Sequence, residues 1–419
     1  MKILLCHDYY QQPGGEDLSF AAEAALLEHR GHDVIRYTVH NDAVDAMSRW
    51  QVAARTIWSR ESYRAVRRLI RQSRPDVMHC TNTFPLLSPS IYYAARAEGV
   101  PVVQSLRNYR LLCPGAYFLR DGKVCEDCLG RAFAWPAMKH GCYRDSRSAT
   151  AVVATMSTVH RFLGTWTNAV NLFFTPSEFA RGKFLKAGFP EDKVAVKPNF
   201  IDPDPGSGDG QGDTALFVGR LSPEKGIETL LAAWQILGSR LPLQIVGDGP
   251  LRNIVEQAAA GNAAISYLGS RPHAEVLELM GRARCVIMPS IWYETFGRTI
   301  IEAFAKGTPV IASRLGCMEE LVDDGETGQL FAPGDPVDLA AAVMRLLDYR
   351  TDSHLSRNLC RQAFLTQYTA DRNYQMLLDL YDRAGSRLDH SRHPVDQVAE
   401  EVPVFDAKPA RTGAVSAAR

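Results

Sequence analysis

Apolar runs of strand length alternate with amphipathic segments of helix length from the start of the chain to about residue 385. Two parallel strands need a long crossover between them, usually a helix, so this alternation is typical of doubly wound parallel sheets. It predicts an α/β fold with two similar halves. The predicted strands cover residues 2–6, 34–38, 77–80, 102–105, 172–175 and 194–197 in the first half, and 215–218, 243–246, 265–268, 285–288, 310–312 and 329–331 in the second.

A segment rich in Gly, Pro and Asp, residues 202–213, separates the two halves and disfavours regular secondary structure. We therefore predict an N-terminal domain with an insertion, a linker or mobile loop, a C-terminal domain, a closing helix and a disordered tail. Their predicted bounds are 1–200 with the insertion at 110–147, then 201–213, 214–370, 371–385 and 386–419. Two doubly wound domains that face each other bind ligands in the cleft at the carboxyl ends of their strands.

Composition narrows the class of protein. With 419 residues, 46% of them hydrophobic and 22% charged, the chain is neither fibrous nor wholly disordered. Residues 1–200 carry 26 basic and 18 acidic side chains, whereas residues 201–419 carry 21 and 29. This asymmetry disfavours a nucleic-acid binder and suits a local anionic ligand or membrane surface. No apolar run reaches the length of about 20 residues that spans a bilayer, and no signal peptide is recognisable, so we predict a cytoplasmic protein.

Two cations follow the first strand of the second half. Arg220 and Lys225 lie five residues apart, directly after the strand predicted at 215–218. A planar guanidinium and a compact ammonium together suit a diphosphate. The alternative interpretation is a pair of solvated surface cations.

Two glutamates follow the strand predicted at 285–288. Glu294 is predicted in the loop and Glu302 about one turn into the next helix, so both can face one pocket. A carboxylate in such apolar surroundings needs a hydroxyl or cation partner, and sugar hydroxyls are such partners. In the first half, Gly14 and Gly15 mark a strand-to-helix turn where backbone amides can approach an anion. Neither G-x-G-x-x-G nor a P-loop pattern accompanies them.

The second half contains, in order, FVGRLSPEKGIETLLAAW, IVGDGP, YLG, PSIWYETFGRTIIEAFAKGTPVIAS and LVDDGETGQLF. With these motifs the chain resembles glycosyltransferase family 4, most specifically over 215–333 and more loosely over the rest of 1–385. The resemblance implies the GT-B fold, in which two Rossmann-like domains face each other across a cleft and a C-terminal helix crosses back to the first. It also implies a nucleotide-sugar donor held mainly by the second domain, an acceptor held mainly by the first, and retention of anomeric configuration.

The resemblance assigns roles to individual residues. Glu294 matches the glutamate that contacts the donor sugar, and Glu302 matches the one that holds the ribose. Arg220 and Lys225 match the pair that neutralises the diphosphate, so these two cations and Glu294 form the implied catalytic set. The remaining donor contacts that it implies are the backbone of Phe296 and Gly297 and the loop glycine Gly15.

The chain departs from the family pattern after the fourth strand. Where many members have His-Asp, this chain has Arg107 and Asn108, so Arg107 is predicted to face the diphosphate or an anionic acceptor. Asp248 is either a donor contact or a turn residue. Asp202 and Asp204 resemble a metal-binding D-x-D, but they lie in the linker between prolines, and we expect catalysis to need no metal or other cofactor.

Four cysteines lie in the insertion at 110–147, with the pattern C-x11-C-x2-C-x13-C. Because the chain has nine cysteines and no recognisable secretory signal, thiols or a metal site are favoured over a disulfide framework. The pattern fits a structural zinc site, and the alternatives are a labile disulfide and unlinked thiols in a packed flap over the acceptor side. The four residues are Cys113, Cys125, Cys128 and Cys142.

Residues 49–74 contain eight arginines and a single acid, Glu61, with Trp50 among them. This segment is either a solvated helix face or a docking surface for anionic lipid, which would place the protein at the inner face of a membrane. After the third predicted strand, His79 and Asn82 are either acceptor contacts that face the cleft or ordinary polar residues at a strand end.

These features predict a retaining hexosyltransferase that moves a sugar from a nucleotide diphosphate to a glycan or lipid-linked acceptor, in polysaccharide, cell-wall or glycolipid synthesis. One alternative is a non-catalytic regulator that binds nucleotide sugars, which the complete set of donor-site residues disfavours. The other is an epimerase on the same fold. An epimerase would need carboxylates and a histidine in the first domain placed for attack by water, and the sequence identifies none.

Overall fold

The computed structural model describes residues 1–12, 14–348 and 353–390. Its first half contains a six-stranded sheet and a small hairpin. The strands are β1 (Lys2–Tyr9), β2 (Asp33–His40), β3 (Val77–Cys80), β4 (Val102–Ser105), β5 (Leu119–Arg120), β6 (Lys123–Val124), β7 (Leu172–Thr175) and β8 (Val194–Val196). The sheet order is β2-β1-β3-β4-β7-β8 with all neighbours parallel, and β5 pairs with β6 as the antiparallel hairpin.

Helices connect these strands, as crossovers between parallel neighbours require. They are α1 (Gly15–His29), α2 (Arg49–Ile57), α3 (Arg60–Ser73), α4 (Ser90–Ala97), α5 (Trp135–His140), α6 (Arg147–Phe162) and α7 (Glu178–Lys186). Short 3-10 turns lie at Asn41–Ala46 and Glu191–Lys193, and a π turn lies at Thr165–Ala169.

The second half repeats the plan. Its strands are β9 (Ala215–Val218), β10 (Leu243–Val246), β11 (Ile265–Gly269), β12 (Cys285–Met288), β13 (Val310–Ser313) and β14 (Gly328–Phe331), in the parallel order β11-β10-β9-β12-β13-β14. Its helices are α8 (Ile227–Leu237), α9 (Arg252–Gly261), α10 (His273–Arg282), α11 (Arg298–Ala305), α12 (Cys317–Leu321), α13 (Pro336–Asp348), α14 (Ser353–Gln367) and α15 (Ala370–His390). A 3-10 turn, Pro223–Lys225, precedes α8.

All twelve predicted strands are present, and the predicted α/β fold is confirmed. The largest difference is in β1, which continues three residues beyond its predicted end, to Tyr9. Each sheet is covered by helices on both faces, and inner strands such as β3 and β12 are therefore buried along their whole length. In β1, Ile3 and Leu5 pack towards α1 and α15, whereas Leu4 and Cys6 pack towards α3 and α4.

Helix α15 crosses from the second half back to the first sheet. Leu377, Tyr381 and Ala384 pack with Ile3 and Phe174 in one apolar cluster. The helix extends to His390, into the segment predicted to be disordered. The rest of that predicted tail, 391–419, lies outside the described residues.

The predicted linker lies along the second half and is hydrogen-bonded to it. Backbone amides of Gly208, Gly210 and Gly212 donate to the carbonyls of Lys306, Gly281 and Arg282 at 2.9, 3.0 and 2.9 Å. A Cβ on Gly208 would lie 2.2 Å from the Cα of Gly281, so glycine permits this close approach. The glycines that predicted a mobile loop serve to dock the segment instead.

A cluster of charged side chains is buried between the first sheet and α15. Glu23 Oε1 accepts hydrogen bonds from Lys197 Nζ at 2.6 Å and Arg107 Nη2 at 2.7 Å. Lys197 also donates to Asn373 Oδ1 on α15 at 2.8 Å. Burial alone would raise the pKa of Glu23, but the two cations outweigh it and lower that pKa from 4.5 to about 2. One carboxylate therefore offsets two buried cations and ties α15 to the first half.

Replacing Glu23 with Gln tests this role. The amide keeps the shape but leaves Lys197 and Arg107 buried without a counter-charge, so we expect a loss of about 3 kcal/mol or more in the free energy of unfolding. The matched control is Glu28→Gln, because Glu28 forms an exposed pair with Arg36 that should contribute less than about 1 kcal/mol. Urea-induced unfolding measures both, and equal losses in the two variants would contradict the assignment.

Candidate active site

Lys225 and Glu294 meet at the carboxyl ends of β9 and β12. Lys225 Nζ donates to Glu294 Oε1 at 2.5 Å. The approach depends on Gly226, which adopts φ +69° and whose Cβ, if present, would lie 1.9 Å from the carbonyl oxygen of Pro289. Glycine at this position therefore lets the turn after β9 press against the loop after β12, residues 289–297, which we call the donor loop.

Three hydrogen-bond donors converge on one oxygen of Glu294. Besides Lys225, Ser290 Oγ donates to Oε1 at 2.8 Å and Trp292 Nε1 donates at 2.9 Å. The residue is buried, and its Oε2 accepts no hydrogen bond from the described residues. The carboxylate is thus held in one orientation, and its second oxygen remains available to a ligand.

Glu302 lies in the second turn of α11 and is also buried. Its Oε1 accepts from Arg298 Nε at 3.0 Å and hydrogen-bonds with His273 Nε2 at 3.1 Å. This hydrogen bond to Glu302 raises the pKa of His273. Sequence reasoning did not select His273 or Arg298. The available signal was their position, because each is the first residue of a helix that follows a strand and loop.

The other predicted donor residues occupy different environments. Phe296 is buried in the core of the second half, and Gly297 is the N-cap of α11. Arg220 is exposed after β9 and forms no ion pair with any described residue. Gly15 is exposed at the start of α1. Asp248 Oδ1 accepts from the amide of Gly249 at 2.7 Å, the geometry of a turn residue.

A pocket lies at the carboxyl ends of β3 and β4 in the first half. Four buried polar atoms on its lining residues have no hydrogen-bond partner in the structure: Glu16 Oε1, Ser105 Oγ, Arg107 Nε and Arg110 Nε. Glu16 Oε2 accepts from Tyr10 at 2.7 Å and from Asn108 at 3.0 Å. Glu16 was not selected from the sequence, although it follows the predicted loop glycine Gly15.

His79 does not line this pocket, so of the two predicted alternatives the structure supports an ordinary strand residue over an acceptor contact. It lies inside β3, and its Nδ1 hydrogen-bonds with the hydroxyl of Tyr381 at 2.9 Å. Burial lowers the pKa of His79 from 6.5 to about 4, so the ring is neutral. Asn82 lines the pocket, but its amide also holds the loop through Asp8 O at 2.7 Å. Arg107 faces Glu23 rather than solvent, which makes it a structural cation with only Nε left unpartnered.

The four cysteines of the insertion are close to one another. Burial raises the pKa of Cys128 to about 11, and the neighbouring Cys113, Cys142 and Cys125 contribute to that rise. All four thiols are free. Within the described ranges, no three Cys, His, Asp or Glu side chains are grouped so that they could hold a metal ion. The zinc site therefore stays a prediction that this arrangement does not support, and metal analysis of the purified chain would test it.

The D-x-D-like pair in the linker consists of Asp202 and Asp204. Asp204 forms a salt bridge with Arg361 on α14, at 2.6 Å. Neither Asp204 nor Asp202 belongs to a group of described side chains that could hold a metal ion.

The arginine-rich segment 49–74 forms α2 and α3. The apolar side chains Val66 and Ile70 face the core, whereas Trp50 is 86% exposed. Three of the eight arginines pair with Glu61 or Glu98. The other five are exposed and have no carboxylate partner among the described residues: Arg49, Arg60, Arg64, Arg68 and Arg74. No helix in the described part of the chain is long and apolar enough to cross a membrane.

Two parallel six-stranded sheets with flanking helices, together with the family models that match both halves, define a glycosyltransferase of the GT-B class. Residues 14–205 match the family model described as Glycosyltransferase Family 4, and residues 212–349 match the model Glycosyl transferases group 1. The chain belongs to glycosyltransferase family 4, which confirms the resemblance seen in its motifs.

Curated relatives match part of the chain. Glycogen synthase of Mycobacterium tuberculosis is 36% identical over 159 residues, which are 36% of this chain and 38% of that protein. Phosphatidyl-myo-inositol mannosyltransferase of the same species is 38% identical over 138 residues, 32% of this chain and 36% of that protein. The chain thus spans less than two fifths of the length of these two relatives.

Solved structures match nearly the whole chain. HepE from Anabaena in complex with UDP-glucose superposes with a TM-score of 0.64 at 17% identity, covering 91% of this chain and 99% of that one. Sucrose-phosphate synthase from Thermosynechococcus elongatus gives a TM-score of 0.65 at 17% identity, covering 92% and 99%. At these identities the likeness shows the fold, which is GT-B.

Proposed function

We propose that the protein is a retaining glycosyltransferase that transfers a sugar from a nucleotide diphosphate to a hydroxyl of a glycan or lipid-linked acceptor, in the synthesis of cell-surface polysaccharide or glycolipid. The observation that carries this proposal is the arrangement of Lys225 and Glu294. A buried carboxylate held by three donors, with a cation on one oxygen and the other oxygen free, lies at the cleft end of the second sheet.

The proposed reaction requires the protein to stabilise two charges as the bond between sugar and diphosphate breaks. Negative charge grows on the departing diphosphate, where Lys225 and the exposed Arg220 supply compensating cations. Positive charge grows on the sugar ring, and the free Oε2 of Glu294 is placed to hold a sugar hydroxyl. With retention, the acceptor hydroxyl attacks the face that the diphosphate leaves, so its proton can pass to the departing phosphate.

Glu302 is proposed to hold the ribose. Its free oxygen can accept from the ribose hydroxyls while Arg298 and His273 fix the other oxygen. HepE, which shares the fold, is seen with UDP-glucose, so UDP-sugars are the first donors to test.

The acceptor is proposed to occupy the pocket at β3 and β4. Its unpartnered atoms include the acceptor Glu16 Oε1, the donor Arg110 Nε and the hydroxyl of Ser105, which can do both. A hydroxylated ring offers matching donors and acceptors, and this favours a sugar over an apolar group.

The exposed arginines of α2 and α3 are proposed to dock the protein on anionic lipid, with Trp50 at the interface. Each basic residue near an anionic surface contributes about 1 kcal/mol, so five unpaired arginines are enough for peripheral binding. This arrangement would bring a lipid-linked acceptor to the first half of the chain.

Substituting Arg220 or Lys225 by Ala tests the proposed reaction. Each change removes charge that stabilises the leaving diphosphate, so we expect kcat/KM to fall about 100-fold or more. The readout is release of nucleoside diphosphate from UDP-sugars with and without added acceptor, and Arg240→Ala, on an exposed arginine after α8, is the control. Release that needs an acceptor distinguishes a transferase from an epimerase or a binding regulator. Wild-type turnover in both variants would rule out this diphosphate site.

Glutamine substitutions at Glu294 and Glu302 should affect different properties, namely kcat for Glu294 and nucleoside diphosphate binding for Glu302. Glu294→Gln loses charge near the sugar, so kcat should fall while the affinity for the nucleoside diphosphate stays close to that of the wild type. Glu302→Gln loses a charged acceptor for ribose, which costs roughly 1.5–3 kcal/mol of binding. Calorimetry with the nucleoside diphosphate and steady-state kinetics measure both. If Glu294→Gln weakened nucleoside diphosphate binding more than Glu302→Gln, the assignment would be reversed.

Charge reversal on α3 should weaken membrane docking. The triple change of Arg60, Arg64 and Arg68 to Glu should abolish sedimentation with vesicles that contain phosphatidylglycerol, and added salt should weaken wild-type binding. The control reverses Arg240, Arg271 and Arg282, which are exposed in the second half. Equal loss in both triples, or binding of the wild type to neutral phosphatidylcholine vesicles alone, would contradict a specific anionic docking face.

A further inference from the structure

The donor loop is held from both halves of the molecule. The side chain of Glu294 is fixed by residues of the second half, as described above. The backbone around it is fixed by the first half, because Tyr109 OH donates to the carbonyl of Glu294 at 3.3 Å and Ser177 Oγ donates to that of Thr295 at 3.0 Å. Thr295 Oγ1 in turn donates to the carbonyl of Arg107 at 2.9 Å.

Tyr293, the residue before Glu294, forms the most extensive of these contacts. Its hydroxyl donates to Glu126 Oε1 at 3.0 Å, and Lys183 Nζ donates to the same oxygen at 2.5 Å. Lys183 Nζ also lies 4.5 Å from the centroid of the Tyr293 ring, and the Phe179 ring packs edge-on at 4.7 Å. Burial and the bond to Glu126 raise the pKa of Tyr293 to about 12, so the phenol remains a donor.

Glu126 belongs to the insertion that carries the four cysteines, residues 110–147, which we call the flap. Two more flap aromatics reach the donor loop: the Tyr117 ring lies 4.9 Å from Trp292, and the Phe118 ring lies 6.1 Å from Tyr293. Trp292 is itself a hydrogen-bond donor to Glu294. The flap therefore contacts both residues that immediately precede the candidate catalytic carboxylate.

We propose that the flap is a positioning element for the donor site, and that Tyr293 and Glu126 are the residues through which it sets the position of Glu294. The inference rests on the proposed function of Glu294. It gives the flap a role in the chemistry of the second half, in addition to its predicted position over the acceptor side. These contacts bridge the two halves, so the position of Glu294 depends on residues of both.

Removing one hydroxyl tests the proposal with little disturbance to the fold. Tyr293→Phe and Glu126→Gln should each lower kcat about tenfold, since small misplacement of a catalytic group is costly, and change the Kd for UDP less than twofold. Because the two residues act through one bond, the double variant should be no slower than the slower single variant. Tyr374→Phe is the matched control, because it removes a tyrosine contact between α15 and His32, away from the donor loop.

Hydrogen exchange gives a readout that does not depend on turnover. Amides of residues 289–297 should exchange faster in Tyr293→Phe and Glu126→Gln, and at the wild-type rate in Tyr374→Phe. Wild-type kcat or unchanged loop exchange in Tyr293→Phe would overturn the proposal. If the wild type released no nucleoside diphosphate from UDP-, GDP- or ADP-sugars, the proposed function would fail, and the exchange experiment would still decide whether the flap holds the loop.

Discussion

The two-domain arrangement depends on the ion pairs formed by the buried carboxylate of Glu23. It forms ion pairs with Arg107 after β4 and Lys197 after β8, and through Lys197 it reaches Asn373 on the crossing helix α15. Two cations buried without it would carry a large desolvation cost. Lys197 also lies just before the segment that leads into the second half. The same ion cluster therefore holds the end of the first sheet and also α15, the helix by which the chain returns to that sheet. It thereby fixes the position of the cleft.

The fold was largely predictable because its signals are local. Runs such as Ala215–Val218 and Cys285–Met288 are apolar throughout, and helices on both faces of a sheet favour that pattern. The docking of the linker was not predictable. A high glycine content predicts a segment with a flexible backbone. Gly208 instead lets the backbone pass close to Gly281, a residue far away in sequence.

The candidate donor site was predictable where a motif spans it and not where it depends on distant partners. Glu294 and Lys225 were identified by type and spacing, and the structure places them in contact. His273 was missed because its contact with Glu302 joins two helices. Two interpretations of His79 stayed open for a related reason: a strand-end position is readable, but the choice between cleft and core depends on Tyr381, which lies on a distant helix. Arg107 lines the pocket, but its bond to Glu23 on α1 was not predictable.

The two halves contribute differently to one catalytic group. The second half supplies the hydrogen-bond donors, since Lys225, Ser290 and Trp292 all bind the carboxylate of Glu294. The first half holds the surrounding loop, since Tyr109 binds the carbonyl of Glu294 and the flap binds the side chain of Tyr293. A carboxylate that stabilises a short-lived cation must be oriented before the bond breaks, because reorientation during the reaction would cost free energy. Because the two halves divide these contacts between them, the orientation of Glu294 depends on both halves at once.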